Sequence, residues 1–562
     1  MLVLIVQKLP RLSVAEKISS SVSLFHCDSA AVLIASHRKL SLVDPLVPSW
    51  LELGLKTLVL SHNQISELPE TFAGLVSSLE VLRLDNNLLA ALPDPILRLH
   101  RLRVLDLQKN RLTTLPVGVL QLTRLTELKL NKNSMQTPPS EVCDRGIAVV
   151  RQFLQAAKLQ GTSPCMLARW LLLGYSRAGK STLLSALRGD SWLTRKTRRI
   201  QSTDGIDIEP IKIPGTATRP PAKALVWDFA GQEVYYHTHE YFLPNSERTV
   251  FLLMFNARAA HGLTKPAQTH VPDKHTHCLL CSELDFWLAK IKSHCPKARV
   301  FVVGTHASRR IADGFLSGLI FELNAAAKTG TASALQFAID NAESAGVSAA
   351  DTNLVAAKDL LLQMRAREGR APLDGLGSAV PATAQVRTAE SWWRRLRRNF
   401  KEMTLTLHFV DSLNGFGIQA LADELRRTTL QDRHTGFLIP NQWNLLAERI
   451  SNTHGGASQP WKLSWSEFQA NLAAGIADAK DAVDVLLHPL GICLRYSSEA
   501  LKDTVIVRPQ ALIGIFRCIF TQHQATNIIQ LHKGVADRRL LRLLMKESPT
   551  FKEVDLNILR PF

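Results

Sequence analysis

The stretch LLLGYSRAGKSTLLSAL, residues 171–187, sets an apolar run and a glycine ahead of Gly-Lys-Ser-Thr and then leucines at helical spacing. Gly174, Tyr175, Ser176, Arg177, Ala178, Gly179, Lys180 and Ser181 fit the spacing G-x-x-x-x-G-K-[ST], with Thr182 opening the helix. The chemistry of this pattern is a grip on a polyphosphate. Glycines let backbone N–H groups curl around phosphate oxygens at a helix N-terminus, Lys180 reaches the outer phosphates, and Ser181 offers a hydroxyl to magnesium. By itself the motif leaves the class of nucleoside triphosphate open.

Downstream segments narrow that class. Leu225–Glu233, LVWDFAGQE, is an apolar strand entering D-x-x-G-Q. Asp228 at the strand end suits magnesium, the Gly231 amide suits a third phosphate, and Gln232 suits orientation of an attacking water. Upstream, Ser202-Thr203-Asp204-Gly205 supplies Thr203 as a further magnesium ligand. Further on, RVFVVGTH (299–306) is another strand running into a loop. Phosphate, magnesium and water motifs thus follow one another in the order of a Ras-like GTPase, with Lys180 and Gln232 as the catalytic pair.

These motifs need a parallel sheet to hold them, and the chain is long enough for several units. At 562 residues three or four domains are expected, and 46% hydrophobic residues provide for their cores. Before the phosphate grip lies a repeat. Leu55, Leu58, Leu60, Asn63, Ile65, Leu68 and Pro69 form one unit, and three more copies place their asparagines at Asn87, Asn110 and Asn133, at intervals of 24, 23 and 23. This is the leucine-rich repeat: leucines share a core and each asparagine bonds the backbone of a neighbouring turn. A degenerate unit containing Leu33, Ala35, Leu40 and Val43 is expected to cap its start. Outward strand positions are mixed (Arg83 and Asp85, Glu127 and Lys129), which speaks against nucleic acid and suits equally a protein partner or packing of so short an array on the next domain.

The net charge of +18 favours acidic partners in general, and nucleotide is enough to meet that. Eight scattered cysteines do not form a disulfide framework. MLVLIVQKLPRL at the start lacks the length of a membrane span and the features of a signal peptide, and no apolar run of about eighteen residues occurs. These features lead to an expected cytoplasmic setting, with membrane association unsupported.

The segments "SRAGKST", "STDGIDI", "WDFAGQEVYYHTH" and "VVGTH" resemble the Roc GTPase domain of Roco proteins. "FLIPNQW" (437–443), "LLHPLGICLRY" (486–496) and "DTVIVRPQALI" (503–513) resemble its COR domain. The resemblance implies an α/β chain: a leucine-rich-repeat solenoid (1–145), a Ras-like P-loop GTPase domain (146–430) with insertions near 257–282 and 309–391, and a partial α+β COR-type domain (431–562). It implies GTP and GDP as ligands, magnesium as cofactor, hydrolysis of GTP, and protein interaction through the repeats. No kinase catalytic motif is present. The COR-like stretch is shorter than usual for the family, whose dimer contacts lie in its later half, and this speaks against a homodimer by that route.

The chain departs from the family in the base-reading loop. The family pattern resembles Thr-His-x-Asp, and here the residues are Thr305-His306-Ala307-Ser308. A serine cannot accept the paired guanine N–H bonds that a carboxylate does, a loss of roughly 2–4 kcal/mol. Relaxed base selectivity follows, and with it a second reading: a catalytically weak or inactive nucleotide-binding scaffold. Ser412, in FVDSLNG (409–415), resembles the family's second base loop. It lies about a hundred residues past Ser308, so most of the Ala-, Gly- and Ser-rich 309–391 is expected to be an insertion, a loop or a gene-model artefact rather than a functional module. His270, His275, His277, Cys278 and Cys281 fall in the other insertion and could draw zinc, although adjacent His277 and Cys278 suit a tetrahedral site poorly. His237 and His239 read as switch packing. The run WWRRLRR (392–398) predicts a helix packed by its tryptophans, with an interfacial helix as the alternative. Ser464-Trp-Ser-Glu467 predicts a capping box.

Overall fold

The computed structural model describes residues 23–27, 30–34, 55–190, 205–231, 242–244, 246, 248–260, 276–309, 312, 326–327, 332–344, 351–368, 392–431, 435–453, 460–496, 498–499 and 501–520. They divide into two compact units. The first lies within Met1–Cys165, Gly436–Gln459 and Leu463–His488, and the second within Met166–Thr435, Pro460–Lys462 and Pro489–Phe562.

In the first unit a six-stranded sheet runs β1 to β6 in chain order. β1 (Ser23–Cys27) and β2 (Ala30–Ile34) form an antiparallel hairpin, and β2 then pairs in parallel with β3 (Thr57–Val59), setting Leu33 opposite Leu58. β4 (Val81–Arg83), β5 (Val104–Asp106) and β6 (Glu127–Lys129) continue the stack, with Leu58, Leu82, Leu105 and Leu128 in register. The expected asparagine ladder is present. Asn110 Nδ2 donates to Leu84 O in the preceding repeat and to Leu107 O in its own, while its Oδ1 accepts from Leu89 N. Asn87 and Asn133 make the same three bonds one repeat away in either direction. Of the capping unit predicted at the start, Leu33 lies in the repeat register, whereas Ala35, Leu40 and Val43 are outside the described residues.

Helix α1 (Ile147–Gln160) buries Ile147, Val150, Phe153 and Leu154, and β7 (Thr162–Pro164) pairs antiparallel with the strand Leu438–Pro440. Phe153 meets Trp443 edge to face at 5.4 Å, and the Trp443 indole N–H donates to Asp478 Oδ2 at 2.6 Å. The first compact unit therefore includes the residues up to Cys165 that the sequence assigns to the nucleotide domain, and part of the COR-like segment. The predicted capping box is formed: Ser464 Oγ accepts from Glu467 N, and Ser464 N donates to Glu467 Oε2 at 2.8 Å.

The second unit is built on a six-stranded sheet containing β8 (Leu167–Gly174), β9 (Ile206–Ile213), β10 (Ala222–Phe229), β11 (Val250–Asn256), β12 (Arg299–Thr305) and β13 (Thr404–Phe409). Its spatial order is β13-β12-β11-β8-β10-β9, parallel throughout except for the antiparallel β9–β10 pair. This is the Ras-like fold. Both faces are covered, so its central strands are apolar on both sides. Leu171 and Leu173 of β8 enter one core with Trp227, Phe251 and Leu288, while Trp170 and Leu172 enter the other with Leu183, Phe301 and Leu421. α2 (Lys180–Leu187) follows β8, and α3 (Thr276–His294) precedes β12.

The stretch 309–391 is not loop throughout its described residues. α4 (Ala332–Ser344) and α5 (Thr352–Glu368) lie within it and share a small core of Leu335, Ile339, Leu354 and Leu361. Alanine-rich composition suits helix as well as loop, because alanine loses least entropy in a helix. α6 (Trp392–Asn399) buries Trp393 and Leu396 in the main core, and Arg395 pairs with Asp285 of α3 at 2.8 Å. It is the packed helix, not an interfacial one. α7 (Ile418–Thr429) follows the last strand of the sheet. His277, Cys278 and Cys281 lie on α3, and His270 and His275 are outside the described residues. No group of three metal-binding side chains occurs among the described residues. No helix among them is long and apolar enough to cross a membrane. Cys143, Cys165, Cys295 and Cys493 are buried.

Candidate functional site

Parallel strands bring their carboxyl ends to one edge, where such sheets bind ligands. The loops leaving β8 at Gly174, β10 at Phe229, β12 at Thr305 and β13 at Phe409 all emerge there. They carry the phosphate motif, the D-x-x-G motif and both base loops.

The phosphate loop is built from backbone conformations its sequence permits. Gly174 has φ +138°, and a Cβ there would overlap the Met254 carbonyl on the adjacent strand. Arg177 (φ +61°) and Gly179 (φ +78°) turn the chain into α2. A Cβ at Gly231 would overlap the backbone of Tyr175 and Ser176. The D-x-x-G glycine therefore lies directly against the phosphate loop.

Lys180 is buried, and its Nζ donates to Gly174 O at 2.8 Å and Tyr175 O at 2.9 Å. Burial lowers its pKa to about 8, against a partial opposing pull from Asp228. Ser181 Oγ donates to Asp228 Oδ2 at 2.5 Å, and Asp228 is itself buried. A hydroxyl and a carboxylate in contact beside a phosphate loop are a hard-oxygen donor set of the kind magnesium takes, so the residues present fit that ion. Tyr175, Ser176, Ala178 and Thr182 complete the loop and the first turn of α2.

Thr305 Oγ1 lies 2.7 Å from Ala178 O, to which it donates, and 3.0 Å from His306 Nδ1. This binds the first base loop to the phosphate loop. His306 takes φ +55°, and Ser308 is exposed, with its carbonyl accepting from Ala312 N. The two base loops are stitched together, since Ala307 N donates to Val410 O and Val410 N to Gly304 O. Ser412 is buried in the second loop. That loop is organised by Asp411, whose Oδ1 accepts from Leu413 N and Oδ2 from Asn414 Nδ2. Sequence reasoning missed Asp411, although D-x-x-N-G is a recognisable turn pattern. The fold thus gathers Gly174–Thr182, Asp228, Gly231, Thr305, His306, Ser308 and Ser412 at one edge. Thr203 and Gln232, with His237 and His239, lie outside the described residues.

A buried cation escaped sequence reasoning. Arg169 on β8 stacks 4.0 Å over the Trp227 ring and donates to Phe242 O at 2.8 Å and Pro489 O at 3.2 Å. Burial lowers its pKa to about 9. A lone arginine within the apolar run MLARWLLLG was the available signal.

The family model described as "Ras of Complex, Roc, domain of DAPkinase" matches residues 169–308, and leucine-rich-repeat models match 54–75 and 77–135. The probable serine/threonine-protein kinase pats1 of Dictyostelium discoideum is 28% identical over 402 residues, which are 68% of this chain and 10% of that protein. Roco5, another probable serine/threonine-protein kinase of that organism, is 35% identical over 105 residues, 19% of this chain and 3% of the relative. The leucine-rich repeat serine/threonine-protein kinase 1 of Caenorhabditis elegans is 29% identical over 144 residues, 25% of this chain and 5% of the relative. The chain thus spans a tenth or less of the length of these relatives. Among solved structures, Methanosarcina barkeri Roco2 RocCORdC bound to GDP aligns with 72% of this chain and 93% of its own, at 15% identity and a TM-score of 0.43.

Proposed function

We propose, from the premise that this chain is a Roco family protein in which leucine-rich repeats precede a Roc domain, that it binds GTP and GDP with magnesium and hydrolyses GTP as a signalling switch. The observation that carries this reading is the contact of Ser181 with Asp228 at 2.5 Å, beside the Lys180 ammonium and beneath Gly231. Lys180 would exchange its two carbonyl partners for outer phosphate oxygens, and the Gly231 amide would donate to the third phosphate. Ser181, Thr203 and Asp228 would hold magnesium, which supplies charge neutralisation on the phosphates when bound. Gln232 would orient the attacking water. Thr305, His306, Ser308 and Ser412 would frame the base.

Further parts of the reading concern the whole chain. The repeats (1–145) would recruit a protein partner, the segment 146–430 would form the nucleotide domain, and 431–562 would act as a partial COR-type output element. Ser308 favours a second reading, a nucleotide-binding scaffold with weak or no hydrolysis, because no carboxylate occupies the position that reads guanine. Titrating the full chain with GTP, GDP, ATP and XTP, followed by single-turnover hydrolysis with and without magnesium, separates the two. Tight binding with no release of phosphate would leave only the scaffold.

A further inference from the structure

The edge strand of the nucleotide sheet is β9, and something outside the sheet holds its first residues. In an antiparallel pair alternate residues turn their backbone groups toward the partner and away from it. Asp207 lies opposite Asp228 in the β9–β10 ladder. The residues on either side of it, Ile206 and Ile208, are engaged on the other edge by one side chain. Gln510, in the first turn of α8 (Pro509–Phe520), donates through Nε2 to Ile206 O at 2.9 Å and accepts through Oε1 from Ile208 N at 3.0 Å. A single carboxamide thus makes both bonds that a neighbouring strand would make.

The consequences run toward the phosphates. One residue before this clamp, Gly205 O accepts from Ala230 N at 2.7 Å, and Ala230 directly precedes the phosphate-facing Gly231. Gln510 therefore brackets the residue paired with Asp228 and anchors the chain end that is tied to Ala230. Apolar packing alone does not account for a donor and an acceptor so matched, because Leu512 and Ile513 of the same helix already bury in the core shared with Ile206 and Trp227.

We infer that Gln510 is a positioning residue for the phosphate end of the site: supplied in cis by α8, it fixes the start of β9 and through it the placement of Asp228 and Gly231. This rests on the hydrolytic reading above only for its effect on rate. It makes the docking of α8 a condition for phosphate-end geometry, while nucleotide affinity, carried by Lys180 and the phosphate loop, is left largely alone.

The test compares Gln510→Ala and Gln510→Glu with wild type in the full chain. Three quantities are read: hydrogen exchange of 205–213 and 225–231, GDP affinity, and single-turnover GTP hydrolysis across pH. Gln510→Ala is expected to exchange faster at Ile208 and at Ala230–Gly231, to bind GDP within about twofold of wild type, and to hydrolyse about tenfold more slowly. In Gln510→Glu an ionised carboxylate cannot donate to Ile206 O, but a protonated carboxyl can. Gln510→Glu should therefore keep the bond from Ile208 N but lose the one to Ile206 O near pH 8, hydrolysing more slowly than wild type, and recover toward wild type only as the pH falls below about 5, whereas Gln510→Ala should show no recovery. A side chain that merely covered the edge would show no such pH rescue. Unchanged exchange at Ala230–Gly231 in Gln510→Ala, or equal losses of GDP affinity and hydrolysis, would overturn the inference. If wild type binds nucleotide without hydrolysing it, the hydrolytic reading fails, and exchange at Ala230–Gly231 then decides for or against the clamp.

Discussion

Lys180 is the residue through which pH should enter nucleotide binding. Its ammonium is buried against two carbonyl oxygens and its pKa is lowered to about 8. Phosphate oxygens favour the charged form and raise that value in the complex, so binding takes up protons above pH 8. With the free-site value at about 8, roughly nine-tenths of the lysines are charged at pH 7 and about one-tenth at pH 9, and GDP affinity should fall about tenfold between them. Folding stability of the nucleotide-free protein moves the other way. The unfolded lysine titrates at the ordinary 10.5, so the unfolded chain binds more protons between about 8 and 10.5, and this contribution to stability rises with pH in that window, by at most about 3 kcal/mol. The assay is displacement of a fluorescent GDP analogue from pH 7 to 9, with proton uptake measured calorimetrically in two buffers of different ionisation enthalpy. Lys180→Arg, whose charge does not titrate, should bind more weakly but lose the slope. A flat affinity in wild type with no proton uptake, or the same slope in Lys180→Arg, would refute the assignment of Lys180 to the phosphates.

Three further outcomes are expected. Gln232→Leu should slow single-turnover hydrolysis at least about tenfold while leaving GTP affinity nearly unchanged, as seen in paired rate and binding measurements; equal losses in both would remove its role with water. Ser308→Asp should raise GTP preference over ATP by roughly 2–4 kcal/mol in competition titrations, and strong guanine selectivity in wild type that the substitution does not alter would mean another residue reads the base. Asn110→Ala should destabilise the repeat unit by roughly 2–4 kcal/mol in chemical denaturation, because it leaves Leu84 O and Leu89 N without the side-chain partner that joins adjacent repeats.

What could be read from the sequence was whatever chemistry had written into a short window or a fixed period. The repeat was legible because each unit needs the same leucines and asparagine, and the structure returns the ladder at Asn87, Asn110 and Asn133. The phosphate loop was legible because only certain residues tolerate its backbone, as the overlap at Gly174 and the turn at Arg177 and Gly179 demonstrate. The capping box at Ser464 is local in the same way. Inside 309–391 the helical pair was not legible, since a composition rich in small residues does not distinguish a loop from two helices whose core is only a few side chains.

Other features depend on residues far apart in the chain meeting in space. Nothing near Gln510 announces that its carboxamide completes the edge of a strand about 300 residues earlier. Arg169 looks like an interruption in an apolar strand until the fold sets Trp227 beneath it and the carbonyls of Phe242 and Pro489 around it. A buried polar group is tolerated only when its partners are in place, and those partners are fixed by packing rather than by sequence neighbours. The sequence determined which atoms could grip phosphate, and the tertiary structure decided which distant groups hold that grip in shape.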